Sequence, residues 1–162
     1  TADSGDEDLI QTVIGQGKTQ ITPLHLCMIT SAIANDGLLM RPYEMERIES
    51  ADGKIIKQFQ AQQYRRLMTS EEAAALRGLM TDVVEEGTAS RLSGLTYTAA
   101  GKTGSAEFNQ NKADSHAWFT GFAPADHPEI AVTVIIEGIG SGSDYAVPIA
   151  KRIFDAYFNA GF

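Results

Sequence analysis

The chain carries a single cysteine, Cys27, among its 162 residues. One thiol cannot close an internal disulfide, so the core has to hold the fold; in its apolar surroundings Cys27 reads as a small buried side chain. Basic residues are also scarce. Thirteen Lys and Arg face 21 Asp and Glu, which gives a net charge of −8 and a pI near 4.8. With no basic patch, nucleic acid is excluded as a partner. No apolar run reaches the ~18 residues that cross a bilayer, and no signal peptide opens the chain, so a membrane anchor is expected outside this sequence. The histidines, His25, His116 and His127, are too scattered for a local metal pattern. No calcium loop is written, and nothing calls for a metal or a cofactor. A phosphate loop is missing too: Gly101-Lys102-Thr103 and Gly17-Lys18-Thr19 have Thr96 and Thr12 where the leading glycine belongs. No Gly-x-Ser-x-Gly elbow occurs.

What is present is an ordinary globular composition, 43% hydrophobic and 21% charged, enough for one domain or a large part of one. Residues 1–14 read as an irregular acidic lead-in that turns apolar at Leu9, Val13 and Ile14. Thr22 reads as an N-cap, Pro23 as the first helical position and Gly37 as the stop. Residues 24–34 between them are apolar almost all round, the mark of a buried helix. Residues 38–50 read as extended, with Pro42 keeping them at an edge, Asp52-Gly53 as a hairpin turn and residues 55–59 as the returning strand. Together 38–59 form an expected protruding β-ribbon. Thr69 to Glu72 make a capping box ahead of the stripe Leu76, Leu79, Met80, Val83 and Val84, which Gly87 ends; Asp82, Glu85 and Glu86 fall on its solvated face.

Residues 95–107 read as one strand, 109–115 as a polar loop, and 116–123 and 130–137 as two further strands. Trp118 and Phe119 are expected in the core. Residues 144–159 read as a helix laid across a sheet, with Ile149, Ile153 and Tyr157 in line and Ala150, Phe154 and Phe158 beside them. Connections this short favour antiparallel neighbours. The expected class is α+β, an antiparallel sheet flanked by helices.

The chemistry concentrates in Gly101-Lys102-Thr103-Gly104-Ser105. On a strand, successive side chains alternate between faces, so Thr103 and Ser105 share one side while Lys102 and Gly104 share the other. Gly104 has no Cβ, and a ligand backbone could approach closely there. A cation, two hydroxyls and an open backbone on one rigid edge suit a carboxylate and a peptide carbonyl.

Lys-Thr-Gly is also the third signature of the penicillin-binding and serine β-lactamase family. Its context resembles class B penicillin-binding proteins in order and spacing: Gly15-Gln16-Gly17, then Thr22-Pro23-Leu24 and Ala32-Ile33-Ala34-Asn35-Asp36-Gly37, then Gly87-Thr88-Ala89, Gly101 to Glu107 and Trp118-Phe119-Thr120-Gly121-Phe122-Ala123-Pro124. The resemblance implies that Lys102 organises a catalytic hydroxyl and attracts the substrate carboxylate. It implies that Thr103 and Ser105 bond that carboxylate, that Gly104 admits the substrate, and that the Ser105 N–H is one of two oxyanion donors.

The chain departs from the family in one respect. No serine has lysine three positions on, and none has asparagine two positions on. Tyr157-Phe158-Asn159 matches the second signature by letters only, in the wrong order for the family. The expectation is therefore the C-terminal part of a transpeptidase domain, covering 1–162. The fold would be a partial β-lactamase/transpeptidase-like one lacking its N-terminal strands and nucleophile helix. Implied partners are the N-terminal half of the same domain, peptidoglycan stem peptides and β-lactams, on the extracytoplasmic face of a bacterial cell membrane. A β-lactam-sensing receptor, a β-lactamase relative, or a non-catalytic scaffold or binding module are the alternatives.

Overall fold

The computed structural model describes residues 5–17, 19–107 and 115–160. Residues 109–114 of the expected polar loop, and Lys18, lie outside them; Ser115, at the loop's end, is buried. The elements in order are α1 (Asp6–Val13), α2 (Pro23–Ala34), β1 (Leu38–Met40), β2 (Arg47–Glu49), β3 (Ile55–Gln58), β4 (Gln63–Arg66), α3 (Ser70–Glu85), a 3-10 turn (Ser90–Leu92), β5 (Ala100–Ala106), β6 (His116–Ala123), β7 (Ile130–Ile136), one π-helical turn (Gly142–Ala146) and α4 (Val147–Ala160).

The heart is an antiparallel three-stranded sheet in the order β5-β6-β7. Its register pairs Lys102 with Thr120 and Thr103 with Phe119, and on the far side Phe119 with Val134. Paired residues share a face, so the sheet has two distinct sides. On one, Phe119, Ala117, Val132 and Val134 pack with Ala146, Val147, Ala150 and Phe154 from the π-turn and α4, with Val84 of α3, and with Ala89 and Leu92 at the 3-10 turn that follows it. Gly101 and Gly121 belong to this side because of Phe119: a Cβ on either would lie 2.5 or 2.7 Å from the Phe119 ring. On the other, Ala100 and Phe122 pack with Ile33 of α2 and Met80 of α3, but only at one end of the strands.

Local chemistry explains the helix ends. The Thr22 hydroxyl accepts the His25 N–H with Pro23 at the first helical position. At α3, Thr69 accepts from Glu72 N–H while the Glu72 carboxylate takes the Thr69 N–H, a complete capping box. Both are worth about 1 kcal/mol. Gly37 adopts φ 82°, and a Cβ there would meet the Met68 carbonyl oxygen, so only glycine closes α2 against the start of α3.

Several expectations change. Residues 6–13 form a helix, not an irregular lead-in, and it exposes Leu9, Ile10, Val13 and Ile14. Of α2 only Thr30, Ala32 and Ile33 are fully buried; the first turn, with Leu24, is exposed, and the rest of the helix, Cys27 included, is half-buried. In α3 the buried stripe is Ala73, Met80 and Val84, with Leu76 and Leu79 outside it. In α4 it is Val147, Ala150 and Phe154, with Ile149 and Ile153 more than a third exposed. In both helices two adjacent stripes are apolar, and only one of them meets the sheet. The strand expected over 95–107 begins only at Ala100; the Tyr97 ring turns in to stack on Phe158, its hydroxyl donating to Asp155.

The segment after α2 holds two separate pairs. β2 and β3 form an antiparallel hairpin whose residues are all exposed. β1 pairs instead with β4, a strand that reads as no strand in sequence because Gln63-Tyr64-Arg65-Arg66 has no apolar alternation.

Candidate active site

β5 is an outer strand of the sheet, so alternate peptide groups point away from β6. Side-chain donors mark which ones. Lys102 Nζ donates to the Thr103 carbonyl at 2.7 Å, and Gln16 Nε2 donates to the Ser105 carbonyl at 3.2 Å. In an antiparallel pair the N–H and C=O of one residue point the same way. Thr103 and Ser105 therefore turn both groups to the free edge, and the Ser105 N–H is aimed outward beside its carbonyl. Gln16 reaches this edge because positive φ at Gly15 and Gly17, 76° and 73°, folds the segment after α1 back toward β5.

The side chains alternate as the sequence implies. Lys102 and Gly104 share the face of Thr120 and Trp118, and Thr103 and Ser105 share that of Phe119 and Ala117. Gly104 lies tight against its neighbour: an added Cβ would stand 3.3 Å from Trp118 Cβ. The Ser105 hydroxyl accepts the Gly142 N–H at 3.4 Å, and Gly142 itself is irreplaceable by a larger residue, since a Cβ would fall 2.3 Å from the Trp118 carbonyl oxygen and 2.5 Å from that of Gly104. The Thr103 hydroxyl lies 2.6 Å from that of Thr88, on the segment after α3.

On the Lys102 face the sheet is uncovered at one end, leaving a cavity of about 1020 Å³. Lys102, Thr103, Gly104 and Ser105 line it together with Gln16, Thr22, Leu26, His116, Trp118 and Thr120. Trp118 is thus a half-buried wall of the cavity and not a core residue like Phe119, because the strand alternation puts it on the open side. His116 accepts the Gly138 N–H through Nδ1 at 3.1 Å.

Between the apolar end and the open end runs a chain of hydroxyls: Thr133 to Thr120 at 2.7 Å, Thr120 to Thr30 at 2.6 Å. Thr30 donates to the Leu26 carbonyl at 2.9 Å. Each hydroxyl has one proton, so Thr120 gives its own to Thr30 and accepts that of Thr133. Sequence reasoning passed over these three threonines, and Thr88 and Gln16 as contacts, because each pairing spans a large sequence separation. Among the described residues no group of three His, Cys, Asp or Glu is placed to hold a metal.

The fold, an antiparallel sheet with helices on its faces, is that of solved penicillin-binding protein transpeptidase domains. The penicillin-binding protein transpeptidase domain matches residues 3–155, and the chain belongs to that family. It is 33% identical to the peptidoglycan D,D-transpeptidase MrdA of Haemophilus influenzae over 94% of this chain and 26% of that protein. It is 34% identical to the peptidoglycan D,D-transpeptidase PbpA of Mycolicibacterium smegmatis over 91% of this chain and 31% of that protein. Penicillin-binding protein A of M. tuberculosis, solved as an imipenem acyl-enzyme complex, superposes with a TM-score of 0.81 at 33% identity, covering 91% of this chain and 33% of that one. The D,D-transpeptidase domain of a peptidoglycan glycosyltransferase from Eggerthella lenta gives 0.78 at 29% identity, over 87% and 33%. The chain spans between a quarter and a third of these relatives' length.

Proposed function

We propose that residues 1–162 are the C-terminal part of the transpeptidase domain of a class B penicillin-binding protein. The whole would be a peptidoglycan D,D-transpeptidase that cross-links stem peptides through a serine acyl-enzyme and that β-lactams acylate. In it this part supplies the substrate clamp and one oxyanion donor, while the serine, its base and the second signature come from the N-terminal half of the domain. The single observation that carries this is the free edge of β5: the Ser105 N–H aimed outward, with Lys102 on the face that opens to the cavity.

Each residue then has a role. The Lys102 ammonium attracts the substrate carboxylate and helps organise a catalytic hydroxyl by donating to its oxygen. The Thr103 and Ser105 hydroxyls bond the carboxylate. Gly104 lets the substrate backbone lie along the strand. The Ser105 N–H stabilises charge as it develops on the attacked carbonyl, a donor whose loss typically costs about 2.7–4 kcal/mol of barrier. By itself this chain would be inactive. The exposed apolar residues of α1 and α2, and the edge of β7 that no strand pairs with among the described residues, support a further partner, since such an edge pairs with something. Anchoring on the extracytoplasmic face of a bacterial membrane belongs to the same proposal; among the described residues no helix is long and apolar enough to cross one.

Intact mass after incubation with benzylpenicillin tests it, for this chain alone and mixed with the N-terminal half. An adduct on the N-terminal half, only when this chain is present, is the expected result. An adduct on this chain alone would place the nucleophile here and overturn the assignment. No adduct from a folded complex would favour a non-catalytic scaffold.

A further inference from the structure

We infer that Thr88 is a positioning residue for substrate-carboxylate recognition, acting through Thr103; this rests on the clamp role proposed for Thr103. The two hydroxyl oxygens lie 2.6 Å apart, short enough for a strong hydrogen bond, and in the absence of substrate either could donate. A substrate carboxylate decides the direction. It only accepts, and a hydroxyl has one proton to give. Once Thr103 gives its proton to the carboxylate, the bond to Thr88 has to run with Thr88 as the donor. Thr88 thereby fixes the rotation of the Thr103 hydroxyl and leaves its proton nowhere to point but to the ligand.

The segment is built to hold Thr88 there. On one side stands Gly87, where a Cβ would lie 2.9 Å from the Val83 backbone, so the chain passes against the last turn of α3 as only glycine can. On the other, Ala89 is fully buried in the core and donates its N–H to the Val83 carbonyl at 3.0 Å. Thr88, between two pinned neighbours, is itself exposed and takes no part in the core.

The test compares acylation of the full-length protein by benzylpenicillin and by its methyl ester, which removes the anionic acceptor and keeps the reacting ring. In the unaltered protein the acid is expected to react faster than the ester. Thr88→Val should slow the acid by about tenfold or more, the scale of a hydrogen bond to a charged group. The loss should appear in the apparent affinity for the acid more than in the limiting rate. The ester rate should stay within about twofold, and Thr88→Ser should restore the acid rate. If Thr88→Val does not fold, Thr88→Ala makes the same comparison. Equal slowing of acid and ester, or no change in either, overturns the role of Thr88. No preference for the acid in the unaltered protein overturns instead the carboxylate role of Thr103, and the two failures are told apart.

Discussion

The two faces of the central sheet are made from the same three strands and end up opposite in character. The Phe119 face is closed over β6 and β7: Phe119, Val132, Val134 and Phe154 pack into one buried cluster, and two glycines are needed to admit one aromatic ring. The Lys102 face is closed only at Phe122 and Ala100, and then opens at Thr120 into a cavity walled by Trp118 and His116. The difference lies in what covers each face. α4 lies along the first side, whereas α2 and α3 meet the second only near one end. Stability and chemistry are thereby separated across one sheet, with β5 belonging to both.

The sharpest way to break this comparison is Lys102→Ala in the full-length protein. The side chain is exposed and takes part in neither core cluster. Acylation by benzylpenicillin should fall below detection while thermal unfolding stays within about 0.5 kcal/mol of the original; near-normal acylation would remove Lys102 from the site. Phe119→Ala does the reverse. It empties the closed face and should cost about 3–5 kcal/mol in chemical denaturation, and a loss under about 1 kcal/mol would mean that this face is less tightly packed than described.

Ser105→Ala tests the edge between the faces. It keeps the N–H and removes the hydroxyl that accepts from Gly142 at 3.4 Å and, in the proposed reading, bonds the substrate carboxylate. Acylation should drop by about tenfold to a hundredfold, the scale of one hydrogen bond to a charged group. A loss as large as that of Lys102→Ala would move the Ser105 side chain to the centre of the mechanism.

The smallest effect is expected at the rim of the closed face. Lys151 and Tyr97 both donate to the Asp155 carboxylate, at 2.7 and 2.8 Å, and hold it below the usual carboxylate range, Lys151 foremost. Burial and that same carboxylate push the Tyr97 hydroxyl well above its ordinary value. A lowered carboxylate contributes stability that is present above its unfolded value and is lost as pH falls through its folded one. Asp155→Asn should therefore lose about 0.3–0.5 kcal/mol at pH 7 and converge with the original protein as pH falls below the ordinary carboxylate range, measured as melting temperature against pH. A constant gap down to acid pH would show that the cluster acts by packing, not by charge.

The caps at Thr69 and Thr22 were readable in the sequence because a cap joins residues three apart, Thr69 with Glu72 and Thr22 with His25. The Lys102–Ser105 alternation was readable for a similar reason, the fixed period of a strand. The buried stripe of α3 was not: Leu76 and Leu79 are the larger hydrophobes, yet Ala73, Met80 and Val84 face inward. Size along one helix does not say which side meets a neighbour. β4 escaped notice because its partner β1 lies over 20 residues away, Leu38 opposite Arg66.

By itself the sequence determined the strand bearing Lys102, Thr103, Gly104 and Ser105, the starts of α2 and α3 and the family these belong to. All depend on interactions within a few residues or on a motif's spacing. Only the tertiary structure decided that the Ser105 peptide faces the free edge, that Trp118 walls the cavity while Phe119 fills the core, and that Thr88 meets Thr103. These depend on which strand pairs on which side and which surface a helix covers, and those outcomes come from packing distant segments together.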